Sequence, residues 1–411
     1  MKKIAKLSLV AAVAVAGFTS ANAQSLEEAI KGVETSGSVV YRYNDYNNDV
    51  VGKESAQTNN YKIAANLASK VNEDVKLNTR FIVGNGANSG FAQLGNNTNT
   101  AANNTSDIAN KDTGADITLS NVYFGYTGLK NTTVNVGKQG LTTPWTVAVD
   151  SDNNEQNGTG ILALSTVGPV TLAGAYFNQS NLNKSTDAAI ATKDGKAIKL
   201  YDSKTDKSVL DGQDDIATVG AIVAAGPVTL DAWYLDLSDT FDTFTVGAKS
   251  SFDVSGAKLG VDARYASLTF DGTDEDANTL AKLVLTGKAG IFDAKLAYAM
   301  TDKDGGLTAL DNDATTTLLG WSITSNGKAD ADYWQAVAGV DILSNLNLSA
   351  NYGNLQYVAA DDSDVEFEEE EVYAQLLYKM SKNLSTYVRY GTYTKENTTS
   401  SKDLNDDTRG R

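Results

Sequence analysis

The chain has 411 residues, a formal net charge of −17, and neither cysteine nor histidine. That composition excludes disulfide scaffolds, thiol chemistry and any Ser-His or Cys-His nucleophile, and it removes the commonest zinc ligand. The acid excess argues against a nucleic-acid partner, because neutralising phosphates takes clustered Lys and Arg.

From the N-terminus, Lys2, Lys3 and Lys6 precede an apolar run from Leu7 to Phe18 and then Ala21-Asn22-Ala23, the layout of an export signal over 1–23. The run is too short to cross a bilayer as a helix, and no later stretch approaches the ~20 apolar residues required. Removing the three signal lysines takes the charge of the remainder, 24–411, from −17 to −20.

The first predicted strand covers about 37–45, with Val39, Tyr41 and Tyr43 on one face and Ser38, Val40, Arg42 and Asn44 on the other. Eight hairpins follow, near 60–83, 116–139, 160–178, 214–237, 242–269, 279–300, 332–357 and 371–394. In the first, Tyr61, Ile63, Ala65 and Leu67 alternate with Lys62 and Asn66; beyond the Asn72-Glu73-Asp74 turn, Leu77, Thr79 and Phe81 alternate with Lys76, Asn78 and Arg80. Strand side chains point to opposite faces with a period of two, so each strand has one apolar face and one wet face carrying long cations. The other short turns concentrate Gly, Pro, Asn, Asp and Ser, and Gly168-Pro169-Val170-Thr171-Leu172 nearly repeats as Gly226-Pro227-Val228-Thr229-Leu230. Longer polar segments separate the hairpins at 46–59, 84–115, 140–158, 179–213, 301–331 and 358–370.

Short and long connections in alternation, behind an export signal, predict an all-β transmembrane antiparallel barrel in the bacterial outer membrane, with turns inside the cell envelope and solvated loops outside. One strand and eight pairs make seventeen, whereas closed single-chain barrels have an even count. The chain stops at Arg409-Gly410-Arg411 without a returning strand, so the expectation is eighteen strands with the last one missing and open edges on strands 1 and 17.

Parity places Arg42, Lys62, Lys76, Arg80, Arg264, Lys295 and Arg389 on the lumenal wall, together with Asp262 and Asp293. The loop 140–158 holds Asp150, Asp152 and Glu155 in an Asn-rich run. Folded inward, those carboxylates would face the basic wall across a narrow aqueous gap and set up a transverse field that orients polar solutes.

Several stretches resemble the Campylobacter-type major outer membrane protein porins of epsilonproteobacteria. They are Lys6-Leu7-Ser8-Leu9-Val10-Ala11-Ala12, Leu26-Glu27-Glu28-Ala29-Ile30, Tyr41-Arg42-Tyr43, and Val136-Gly137-Lys138-Gln139 followed by Trp145 and Gly158-Thr159-Gly160. The resemblance implies an eighteen-stranded, trimeric porin that passes small hydrophilic solutes past an inward-folded third loop. Asp150-Ser151-Asp152-Asn153-Asn154 is not an EF-hand, since Glu155 and Ile161 stand where Gly and Glu are needed. A different oxygen site for calcium at Asp150 and Asp152 is left open, and porins of the resembled family can bind calcium there.

The resulting expectation is a general diffusion porin for ions and small hydrophilic solutes, mildly cation-selective, without catalysis. The run Glu366 to Glu371, broken by Phe367, reads as a solvated block or as a rim that binds divalent ions bridging to lipopolysaccharide phosphates. Two rivals remain: a surface adhesin, which leaves the cationic alternation unexplained, and a substrate-specific channel, for which no ordered lumenal aromatic ladder is evident.

Overall fold

The computed structural model describes residues 32–53, 55–94, 115–186, 191–193, 196–198, 201–202, 207–208, 210, 212–271, 277–303, 305–359 and 362–411. The expected export signal, 1–23, lies outside them.

Alternation is the organising signal of the wall. On the paired segments 241–254 and 257–270, Phe244, Val246 and Tyr265 are exposed on the outside, while Thr243, Thr245 and Arg264 are buried inside. The main sheet contains 19 strands, one of which is the two-residue segment Ala92–Gln93 laid against Asn60 and Tyr61. Eighteen long strands remain. They are β1 (Glu34–Asn48), β2 (Ala56–Lys70), β3 (Val75–Gly84), β4 (Asp116–Tyr126), β5 (Thr132–Gly140), β6 (Asn157–Val167), β7 (Val170–Ser180), β8 (Ile216–Ala225) and β9 (Val228–Leu237). The second half comprises β10 (Phe241–Val254), β11 (Ala257–Phe270), β12 (Asn278–Ala289), β13 (Phe292–Thr301), β14 (Ala329–Leu343), β15 (Leu346–Ala359), β16 (Asp362–Ser381), β17 (Leu384–Asn397) and β18 (Lys402–Gly410). Each pairs antiparallel with its sequence neighbours, and β18 returns to β1.

Two of the short turns show why their residues were needed. Gly168 and Gly226 sit at φ +59° and +63°, each followed by a proline whose ring fixes a negative φ, the two-residue hairpin geometry that suits strand twist. At the Asn72 turn, the side-chain Oδ1 accepts from the backbone N–H groups of Asp74 and Val75, both at 2.9 Å.

Two expectations are corrected. The returning strand expected to be missing is present: residues 402–410 form β18, pairing with β17 over Tyr390–Asn397 and with β1 over Asp45–Asn48, so the barrel closes along this stretch. Its sequence is polar on both faces, so no apolar alternation announces it. The outer ends of several strands also run further than alternation indicated. β15 and β16 continue through most of the 358–370 segment, because ladder hydrogen bonds persist above the bilayer where neither face has to be apolar.

The long connections are the larger surprise. Several do not stand out in solvent: Leu141, Trp145, Leu182, Leu210, Leu307 and Leu310 pack against inward Phe177, Ile216, Leu235 and Phe241 as one buried apolar cluster. Enclosed apolar area of this kind contributes roughly 25 cal/mol per Å², which draws the loops into the barrel and fills part of its bore. Part of the 84–115 connection, expected to be solvated, packs down as well: Ser89 and Ala92 are buried, while Asn85, Gly86 and Ala87 stay exposed.

The lumenal constriction as candidate functional site

The loop 141–156 between β5 and β6 is turned into the lumen by its own base. Leu141 N–H donates to Gln156 O at 2.8 Å, Val147 N–H to Gln156 Oε1 at 3.1 Å, and the Trp145 ring is wholly buried. Its tip is then gripped by charges from the first three strands. Arg42 of β1 donates through Nη1 to Asp152 Oδ1 at 2.8 Å and through Nη2 to Ser151 O at 2.6 Å. Lys62 of β2 reaches Glu155 Oε1 and Asn153 O, each at 2.7 Å. Arg80 of β3 adds a 2.8 Å bond from Nη2 to the same carboxylate, which also accepts from Ser120 Oγ.

The three loop acids therefore have three different jobs. Glu155 is buried as an anchor. Burial would raise its carboxyl, but donation from Arg80, Lys62 and Ser120 outweighs this and holds it below the usual range. Asp150 is 6% exposed and folds the tip, accepting from Asn154 N–H at 2.7 Å and from Asn154 Nδ2 at 2.8 Å. Burial nevertheless pushes its carboxyl up to about 6, with Asp152 and Asp313 adding to the effect. Asp152 alone presents its charge to the water, its side chain being 67% exposed.

A second inward loop, 305–328 between β13 and β14, meets the first from across the bore. Leu310 N–H donates to Trp145 O at 2.9 Å, Gln156 Nε2 to Leu310 O at 3.3 Å, and Ser151 N–H to Asp313 Oδ2 at 2.8 Å. This loop is latched to β16, where Glu371 accepts the backbone N–H groups of Trp321 at 2.8 Å and Ser322 at 2.7 Å. Gly320 has to lack a side chain, because a Cβ there would collide with Glu371 and the Tyr333 hydroxyl. Leu318 and Ile323 are buried against Leu280, Tyr333 and Leu355, fixing the rest of the loop to β12, β14 and β15.

Between the loops and the far wall a cavity of about 630 Å³ stays open. Asp152 and Asp313 border it from the loops; Lys282 of β12, Lys295 of β13, Arg389 of β17 and Arg411 border it from the wall. Trp321, Tyr373 and Tyr387 surround the Arg389 guanidinium at 4.9, 4.9 and 5.6 Å from their ring centroids. A closed cylinder with an apolar exterior, narrowed to a two-signed polar gap, has the architecture of a membrane channel.

The family model described as Campylobacter major outer membrane protein matches residues 1–411. The chain belongs to that family. No curated protein matches its sequence. Among solved structures it is similar to OpdL of Pseudomonas aeruginosa, at 16% identity and a TM-score of 0.68 over 92% of this chain and 97% of that one. A BenF-like porin from Pseudomonas fluorescens Pf-5 gives the same identity, TM-score and coverage. OccK2 (OpdF) of P. aeruginosa in complex with glucuronate is similar at 14% identity and a TM-score of 0.65, over 92% of this chain and 96% of that one. Family and fold together make this major outer membrane protein a channel of the bacterial outer membrane.

Within this outer membrane protein the sequence-predicted residues separate into groups. Arg42, Lys62, Arg80 and the three loop acids come together at the constriction. Lys295 and Arg389 line the open cavity beside Asp152. Arg264 is inside but enclosed, bound to Asp231 at 2.7 Å. Lys76 pairs with Glu34 at 3.4 Å, Asp262 with Lys249 at 3.1 Å, and Asp293 accepts from Asn347 at 3.2 Å, all away from the gap. The glutamate run is split by strand parity: Glu369 and Glu371 point inward, while Glu368 and Glu370 accept from Asn354 Nδ2 and the Tyr352 hydroxyl.

Calcium finds its ligands already committed. Both Asp150 oxygens accept from Asn154, and Arg42 takes Asp152 and the Ser151 carbonyl, so an ion here would first have to displace those donors. No group of three or more carboxylates is placed for a metal among the described residues.

Sequence reasoning missed Lys282, Asp313, Trp321, Glu371 and Arg411. The usable signal was the apolar content of 301–331, where Leu307, Leu310, Leu318, Leu319, Trp321 and Ile323 make little sense in a solvated loop.

Proposed function

We propose that this protein is a general diffusion porin, passing ions and small hydrophilic solutes passively, with a mild preference for cations. The observation that carries this reading is the cavity bordered by Asp152 and Asp313 on one side and by basic side chains on the other, inside a barrel with an apolar exterior. Opposed charges across water align dipolar solutes and make entry of apolar ones unfavourable. The preference for cations is ascribed to the exposed Asp152 and to the acid excess of the whole chain, −17. OccK2, a barrel of the same fold, is titled as a complex with glucuronate, a small hydrophilic acid, which supports a solute-passing role.

The test is a reversal potential across a KCl gradient in planar bilayers, comparing the full protein with Asp152→Asn/Asp313→Asn. The expected result is stepwise conductance and a shift of the reversal potential toward chloride in the double variant; identical potentials would remove the assigned selectivity. The homotrimer, and contact with lipopolysaccharide through the outer-rim glutamates, belong to the same proposal. Mass measurement of the detergent complex checks the first.

A further inference from the structure

The stretch Val136-Gly137-Lys138-Gln139 leads into the constriction loop, yet Lys138 does not border the open cavity. Register puts it on the outward face of β5, opposite Val122 of β4 and in the same row as Val136, which faces Phe124 and Ile161. A cation in a lipid-facing row is unfavourable, so its presence calls for a reason. Its Nζ donates to the backbone oxygen of Leu119 on β4 at 2.8 Å. Leu119 is where β4 changes phase. Arg80 of β3 lies opposite Asn121 and Phe81 opposite Leu119, which leaves Ser120 as the extra residue of a β-bulge. On one side of it Phe124 and Tyr126 are exposed outward, on the other Leu119 and Ile117. Unbroken alternation would instead aim Ser120 at lipid, since a one-residue slip exchanges the two faces. Turned inward by the bulge, Ser120 is wholly buried and its Oγ donates to Glu155. Gly137 lets β5 come close enough to β4 for this: it sits at φ +131°, and a Cβ there would lie 2.4 Å from Val122 O.

We infer that Lys138 is a positioning residue for the constriction, acting from the lipid side of the wall through the β4 bulge. This rests on the channel reading above and adds to it a residue outside the lumen. A bulge disrupts its ladder locally, and a backbone acceptor next to hydrocarbon needs a donor from the protein, because no water is there to supply one. Lys138 is that donor, and the bulge it holds decides whether Ser120 reaches Glu155. Glu155 in turn gathers Lys62 of β2 at 2.7 Å and Arg80 of β3 at 2.8 Å, and its own N–H donates to Asn88 O at 2.9 Å. The same anchored segment carries Asp152, which meets Arg42 at 2.8 Å and presents its charge to the water. A line of contacts through Leu119 O, Ser120 Oγ and Glu155 thus joins an outward side chain to the charge that faces the pore. Losing Lys138 relieves the lipid-facing wall of a cation while loosening the loop, so its effects on insertion and on current have different signs.

The experiment is single-channel recording in KCl on the full protein and on Lys138→Met, Lys138→Arg, Ser120→Ala and Lys138→Met/Ser120→Ala. Val134→Ala, outward on the same strand, is the control. Lys138→Met is expected to insert, since an outward charge is removed. Its open current should be larger and noisier, and its reversal potential across a KCl gradient should shift, because Asp152 is no longer held in one place. Lys138→Arg keeps a donor and should restore the unaltered trace. Ser120→Ala should change the current in the same direction, and the double variant no more than either single one, because both act through one bulge. Current and reversal potential in Lys138→Met equal to those of the unaltered protein overturn the inference. So do fully additive effects of the two single changes, or an equal change in Val134→Ala. Should Lys138→Met fail to fold, Ser120→Ala decides: an unchanged current there means that the bulge does not govern the constriction. Absence of conductance steps in the unaltered protein would remove the channel reading and this inference with it; steps indifferent to Lys138 remove only the inference.

Discussion

Removing the Glu155 carboxylate would leave Lys62 and Arg80 facing each other in a buried site, since both donate to it and its side chain is 1% exposed. Breaking a buried pair from one side typically costs about 3–5 kcal/mol, because a charge is stranded. Glu155→Gln is accordingly expected to lower the urea midpoint of the folded barrel, and the added change Lys62→Gln to restore part of it. Asp150 works in the opposite sense. Its folded carboxyl titrates at about 6 against an ordinary 3.8, so the folded state holds the proton more tightly than the unfolded chain does. The stability it contributes is greatest when both states are protonated, falls as pH rises from about 4 to about 6, and is flat above. Asp150→Asn should raise the urea midpoint at pH 7, through a gain of about 3 kcal/mol at most in unfolding free energy, and should remove that slope. An unchanged pH profile would show that Asp150 is not the titrating group.

The elements were legible to different depths for a physical reason. Arg42, Lys62, Arg80, Lys295 and Arg389 could be assigned to the lumen from sequence because a strand repeats every two residues, and their neighbours Tyr41, Ile63, Phe81, Leu296 and Val388 are exposed outward. β18 and the outer end of β16 escaped notice because backbone pairing alone maintains a strand where no lipid demands an apolar face. The inward loops have no period at all. Their positions follow from contacts such as Trp145 with Leu310, or Glu371 with the Trp321 and Ser322 N–H groups, and only a folded chain brings these together. The Glu371 latch makes a prediction at this scale. Glu371→Gln keeps one acceptor but loses the anion that two amides share, so the 305–328 loop should move more freely. Higher and noisier single-channel current is the expected outcome; a current indistinguishable from that of the unaltered protein would mean the apolar contacts of Leu318 and Ile323 hold the loop unaided.

At the scale of the molecule, the outward face carries exposed apolar side chains on strand after strand, including Leu230, Val246, Leu283, Leu296, Leu348 and Leu376. Its partner is hydrocarbon, and a cation placed there near the midplane costs about 2–4 kcal/mol. Val246→Arg should therefore reduce the yield of folded barrel in lipid vesicles, read as the heat-modifiable band on gels. Lys249→Gln, on the inner side of the same strand and half exposed beside Asp262, should fold normally. The opposite ranking would place water outside the cylinder.

Hoop and bore are set by separate parts of this protein. The number of staves fixes the circumference, while two wedges that meet through Trp145, Gln156 and Leu310, the last two 154 positions apart in the chain, fix how much of the circle is open. Calibre can thus be retuned with no stave altered, provided both wedges change in concert, and the gauge is not complete until most of the polypeptide has threaded into place.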